Sequence, residues 1–125
     1  MTVNGPGRVL LIDDNDLVRG LIYDIVTSLG YSADMAASGA EGLAFLDRNR
    51  YDVVLTDLVM PGMTGWEVLA AVRERDPKIP VILFTGSAVH AGDARFAQPG
   101  VALVQKPVDV QVLENALSRV LANGR

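Results

Sequence analysis

Four stretches of this sequence end an apolar run in residues that can handle phosphate or a cation. "LLIDDND" (residues 10–16) passes straight into two adjacent carboxylates, Asp13 and Asp14. "DVVLTD" closes on Asp57, "PVILFTG" reaches Thr85, and "VQKP" carries Lys106 and Pro107. Gathered at one place, the three carboxylates would repel one another. Two unit charges about 4 Å apart cost roughly 4 kcal/mol at an effective dielectric of 20. Either some of them are protonated or a cation sits among them. An oxygen-only set favours a hard cation, Mg²⁺ before the transition metals. Mg²⁺ keeps waters and takes one or two carboxylates plus phosphate oxygens, which suits phosphoryl transfer. One carboxylate can then accept a phosphoryl group as an aspartyl phosphate. The metal and an ammonium neutralise the equatorial oxygens, and a hydroxyl donates to one of them.

The elements between these residues must bring them together. "RVLLI" (8–12), "YDVVLTD" (51–57), "IPVILFTG" (79–86) and "VALVQ" (101–105) read as buried strands, and "YSADMA" (31–36) as a weaker one. The residues from Asn15 to Gly30 have helical spacing through Leu17, Leu21, Ile25 and Leu29, with Val18, Ile22 and Val26 beside them. Ser38 and Glu41 form a capping-box pattern ahead of the next helix. "MPGMTG" (60–65) reads as a loop, "WEVLAAVRER" (66–75) as a helix stopped before Pro77, and residues 109–124 as an amphipathic helix. The stretch 87–100 can hold one more helix, weakened by Gly92 and Gly100. Strands and helices alternate, which argues for a parallel sheet with helices on both faces. Sites in such sheets form outside the carboxyl ends of the strands. Asp13, Asp14, Asp57, Thr85 and Lys106 all stand there. Asp57, at the end of the expected central strand, is the best acceptor candidate.

The bulk numbers narrow the classes. The chain has 125 residues, enough for one domain, and half of them are hydrophobic. It divides into a lead-in (1–7), one domain (8–122) and a short tail (123–125). A net charge of −4 argues against non-specific nucleic-acid binding. The absence of cysteine excludes disulfides, thiolate metal sites and a Cys nucleophile, and a single histidine, His90, cannot form a histidine-rich metal cluster. Neither a signal peptide nor a membrane span is visible, so a cytoplasmic location is expected.

Taken together, "LLIDDNDLVR", "DVVLTDLVMPGMTGWEVL", "PVILFTG" and "VQKP" resemble the receiver domain of two-component response regulators, including chemotaxis regulators. The resemblance runs from about Arg8 to Leu121. It implies a flavodoxin-like, doubly wound (βα)5 α/β fold, with a five-stranded parallel sheet in the order 2-1-3-4-5. It implies that Asp57 is phosphorylated, that Asp14 and Asp57 ligate Mg²⁺ directly, and that Asp13 acts largely through water. The backbone carbonyl of Val59 would complete the protein ligands. Thr85 would be the switch hydroxyl and Lys106 the phosphate-binding lysine, ahead of a candidate cis peptide to Pro107. The donor would be a phosphohistidine on a sensor histidine kinase or a histidine phosphotransfer protein. The readout would be an output partner at the face of the fourth helix, fifth strand and fifth helix. The implied assembly is a monomer or weak dimer. No turnover substrate is expected beyond the chain's own phosphorylation and self-hydrolysis.

The sequence also departs from its relatives. Leu103 stands where many members carry an aromatic ring that swings inward with the switch hydroxyl. Val59 and Ser87 occupy positions that tune dephosphorylation, and an apolar Val59 cannot hydrogen-bond an attacking water, so modest self-hydrolysis is expected. "FAQPGVALVQKP" lacks the "GADDY"-like run of many DNA-binding regulators and looks closer to the terminal receivers of hybrid sensor kinases. Blander readings exist for each feature alone. Asp13 and Asp14 can be a polar strand end with Asn15 or Asp16 as helix cap, Thr85-Gly86 a turn, Lys106-Pro107 a surface charge and loop stop. Trp66 reads as simple packing and His90 as a solvated residue. Two other functions compete. One is a haloacid-dehalogenase-type phosphohydrolase, disfavoured because Asp13 is followed directly by Asp14 rather than spaced as D-x-D. The other is a receiver-shaped interaction module that is never phosphorylated.

Overall fold

The computed structural model describes residues 7–86 and 98–124. Five strands of five residues each form one parallel sheet: β1 (Arg8–Ile12), β2 (Ser32–Ala36), β3 (Val53–Asp57), β4 (Val81–Thr85) and β5 (Val101–Gln105). Their order is β2-β1-β3-β4-β5. Four helices are described: α1 (Asp16–Ser28), α2 (Gly39–Arg48), α3 (Gly65–Arg75) and α4 (Val110–Gly124). The helix expected within 87–100, together with Ser87, His90 and most of the lead-in, lies outside the described residues. No helix among the described residues is long and apolar enough to cross a membrane.

Side chains alternate across each strand, so the sheet feeds two cores. Val9, Leu11, Leu55, Ile82 and Phe84 face α1 and α4, where Ile22, Val26, Leu113 and Leu117 meet them. Leu10, Ile12, Val54, Val81 and Leu83 face α2 and α3, where Leu43, Val68, Leu69 and Val72 cover them. Coverage on both faces explains why the three inner strands read as continuous apolar runs.

Three details differ from the sequence reading. In α1 the buried stripe runs through Ile22, Ile25 and Val26, whereas Leu17 and Leu21 are exposed. The helix carries two adjacent apolar rows, and the first is split: Leu17 and Leu21 face outward, while Ile25 is buried and Leu29 packs against the core. Helix α3 begins at Gly65 rather than Trp66, because Thr64 accepts from the Glu67 N–H while the Glu67 carboxylate accepts from the Thr64 N–H. That complete capping box satisfies two of the helix's free N–H donors. At α2 only half of the expected box forms. Ser38 accepts from the Glu41 N–H, but the Glu41 carboxylate accepts from the N–H of Ala37 instead of Ser38.

Candidate functional site

Strand register sets which residues share the carboxyl edge. Ile12 pairs with Thr56, Asp57 with Phe84, and Thr85 with Gln105. The next residues along, Asp13 and Lys106, are still held by the sheet. The Asp13 N–H donates to the Ala36 carbonyl at 3.1 Å, and the Lys106 N–H to the Thr85 carbonyl at 2.7 Å. Asp13, Asp57 and Thr85 are buried, and Asp14 is exposed. The Lys106–Pro107 peptide is cis.

The carboxylates do converge. One oxygen from each of Asp13, Asp14 and Asp57 lies within 4.8 Å of the others. Lys106 Nζ stands 3.1 Å from Asp57 Oδ1 and 3.8 Å from Asp13 Oδ2. Asp57 Oδ1 also accepts from the Leu58 N–H at 3.0 Å. Asp13 Oδ1 accepts from the Asn15 N–H at 2.9 Å, while Asp13 Oδ2 is buried without a hydrogen-bond partner. Burial pushes the Asp13 pKa above its usual 3.8. The Asn15 N–H and the Lys106 ammonium pull it back, and the charges of Asp57 and Asp14 add to the rise.

These residues fit a divalent metal. With all three carboxylates ionised, one ammonium leaves a net charge of −2, which one Mg²⁺ would balance. The donor set is all oxygen, as a hard cation prefers. The buried Asp13 Oδ2, with no hydrogen bond and only the Lys106 ammonium 3.8 Å away, is a costly atom unless something binds it.

Sequence reasoning missed the groups that hold this cluster through main-chain atoms. The Thr56 hydroxyl donates to the Asp57 carbonyl at 3.0 Å from inside the core. Arg19 Nη1 donates to the Asp13 carbonyl at 2.8 Å, and its Nη2 to Asp16 at 2.7 Å. Gly65 seats α3 against the Asp57 peptide. Its N–H donates to the Leu58 carbonyl at 2.8 Å, and a Cβ there would lie 2.6 Å from the Asp57 carbonyl oxygen. A polar Thr inside "DVVLTD" was the one signal on offer. The competing cap candidates resolve to Asn15, whose side chain accepts from the Val18 N–H at 3.0 Å.

Two positions flagged as unusual differ in setting. Val59, two residues after Asp57, is 73% exposed. Leu103 is half-buried against the core under α2 and α3. Ser87 lies outside the described residues.

A family profile described as "Response regulator receiver domain" matches residues 9–118. The chain is 37% identical over 117 residues to the transcriptional regulatory protein GlrR of Escherichia coli (strain K12), covering 93% of this chain and 26% of that protein. It is 32% identical over 116 residues to the sensor histidine kinase RcsC of Salmonella typhimurium, covering 92% of this chain and 12% of that one. It thus spans about a quarter or less of these two relatives. Among solved structures, the Vibrio cholerae chemotaxis protein CheY4 superposes with a TM-score of 0.82 at 30% identity, covering 90% of this chain and 97% of that one. The chain belongs to the receiver domains of two-component response regulators, signalling modules rather than turnover enzymes.

Proposed function

We propose that Asp57 accepts a phosphoryl group in a phosphorelay and that Mg²⁺ supports the transfer. The observation that carries this reading is Lys106 Nζ at 3.1 Å from Asp57 Oδ1, inside a cluster that Asp13 and Asp14 complete. A carboxylate oxygen of Asp57 attacks phosphorus. The bond from phosphorus to a donor histidine nitrogen breaks, and the imidazole leaves with its electron pair. Bound Mg²⁺ would supply charge neutralisation, held by Asp14, Asp57 and the Val59 carbonyl, with Asp13 acting through water. Lys106 pairs with one phosphoryl oxygen, and the Thr85 hydroxyl donates to another.

The donor is a sensor histidine kinase or a histidine phosphotransfer protein. Exposed Leu17 and Leu21 on α1, with exposed Val59, stand on elements that leave the same sheet edge. A protein that delivers a phosphoryl group to Asp57 must cover this edge, and an apolar rim suits that contact. The modified Asp57 gains charge and acceptor oxygens, which biases the domain between two conformations. A partner that binds one of them better reads the signal. The absence of a hydrogen-bonding side chain at Val59 favours slow self-hydrolysis, and the absence of a ring at Leu103 favours switching without the aromatic swing.

Incubation with Mg²⁺ and acetyl phosphate, followed by intact-mass measurement, tests the reading. The parent should gain one phosphoryl group, and Asp57→Ala should gain none. No adduct on the parent overturns it and leaves the unphosphorylated interaction module in its place; an equal adduct on Asp57→Ala overturns Asp57 as the acceptor.

A further inference from the structure

We infer that Arg19 is a positioning residue for the metal site, acting on Asp14 through the backbone that joins it to Asp13. The inference rests on the proposed Mg²⁺ role of the acidic cluster. Asp13 is held at each of its polar main-chain atoms and at one carboxylate oxygen. Its N–H is on the Ala36 carbonyl, its Oδ1 takes the Asn15 N–H, and its carbonyl takes Arg19 Nη1 at 2.8 Å.

Asp14 is different. Its carboxylate belongs to the cluster, yet the residue is exposed, and no hydrogen bond or ion pair within the described residues orients it. What aims Asp14 is therefore the direction of its backbone. A trans peptide is planar, with the carbonyl of one residue and the N–H of the next pointing opposite ways. Fixing the Asp13 carbonyl fixes the plane from which Asp14 departs. Arg19 fixes that carbonyl from the second turn of α1. The guanidinium is itself braced by Asp16, 2.7 Å from its other nitrogen, and the Arg19 side chain is mostly buried, at 17% exposure. A planar, always-charged fork held at both prongs is a stiff strut.

Charge and position predict opposite outcomes when Arg19 is removed. Loss of a cation near three carboxylates should, on charge alone, tighten binding of a divalent cation. Loss of a strut should weaken it, because groups that orient metal ligands are typically worth about tenfold or more in affinity. The experiment is calorimetric titration with MgCl₂ of the parent and Arg19→Ala, with thermal unfolding of both. The expected result is Mg²⁺ binding about tenfold weaker in a variant that is folded at the assay temperature. Arg19→Gln, also uncharged, should weaken binding in the same direction, and it carries the test if the alanine variant fails to fold. Unchanged or tighter binding in a folded variant overturns the role of Arg19 and leaves the phosphoacceptor reading intact. A parent that binds no Mg²⁺ overturns both.

Discussion

Asp13 shows how one residue can be unfavourable to the fold and useful to the site. Its carboxylate is fully buried, one oxygen has no hydrogen bond, and burial raises its pKa above 3.8. Without a cation, the folded chain holds the Asp13 proton at higher pH than the unfolded chain does. The ion is then a penalty that grows as pH rises through the raised value and disappears as pH falls to 3.8. Asp13→Asn keeps an amide oxygen for the Asn15 N–H and removes the charge. In EDTA at neutral pH it should be more stable than the parent by about 1 kcal/mol. The gap should close as pH falls towards 3.8. Urea unfolding of both proteins at several pH values checks this, and a variant less stable than the parent at pH 7 would contradict it. With Mg²⁺ present the order should narrow or reverse, since the parent alone retains the full ligand set. This residue was legible in the sequence because two carboxylates at the end of an apolar strand demand a reason. Arg19 and Thr56 were not legible as parts of the site. Both act on carbonyl oxygens, and every residue has one, so no residue type marks the recipient.

Among the elements, the helices differ in how tightly their starts are built. Helix α3 is capped at both ends of its Thr64–Glu67 box and sits directly on the peptide of Asp57. Helix α1 carries Gly20 in its middle, and nothing lies within 4 Å of where its Cβ would stand. The two glycines should therefore respond in opposite senses. In Gly65→Ala the new methyl meets the Asp57 carbonyl oxygen at 2.6 Å and Leu58 Cα at 2.7 Å, both main-chain atoms of the inner strand and its exit. Either α3 or the acceptor must shift, at a cost of about 1–3 kcal/mol, and phosphorylation by acetyl phosphate should slow as well. Gly20→Ala should instead stabilise the chain by about 0.5–1 kcal/mol, with small-donor phosphorylation unchanged. Denaturant midpoints and adduct formation over time separate the two. Helix α1 is also where periodicity misled. Leu17, Leu21, Ile25 and Leu29 form an apolar row, and so do Val18, Ile22 and Val26. Spacing alone cannot say that the sheet takes Ile22, Ile25 and Val26 and leaves Leu17 and Leu21 outside when both rows are apolar.

Across the whole molecule, the parallel sheet separates two poles. The doubly covered inner strands were legible because four apolar runs and a weaker fifth alternate with helical patterns, and the strand order because the four motifs together identify the family. The opposite pole was not foreseen, since it is knit by residues that are unremarkable singly. There the Tyr51 hydroxyl donates to Asp34 at 2.6 Å, Arg8 pairs with Asp34 at 2.9 Å, and the Arg8 guanidinium lies 5.0 Å from the centre of the Tyr51 ring. Burial, and then the bond to Asp34, push the Tyr51 pKa from 10.0 up to about 12. The phenol therefore contributes stability that is complete below pH 10 and lost as pH climbs through about 12. Tyr51→Phe should cost about 1–2 kcal/mol near neutral pH. Tyr51 precedes Asp57 by six residues, mostly along β3, a separation of at most about 20 Å, and shares no hydrogen-bond partner with the acidic cluster among the described residues. Sites so far apart contribute additively, within about 0.5 kcal/mol. At a tenfold excess over its dissociation constant, Mg²⁺ should add about 1.4 kcal/mol to the parent, and the same increment to Tyr51→Phe. Thermal unfolding of both proteins with MgCl₂ and with EDTA measures the two increments. Equal rises in midpoint mean that the amino-end network anchors the sheet without reaching the phosphoacceptor. A rise lost in Tyr51→Phe would mean that β3 transmits strain along its whole length, and that the two poles act as one.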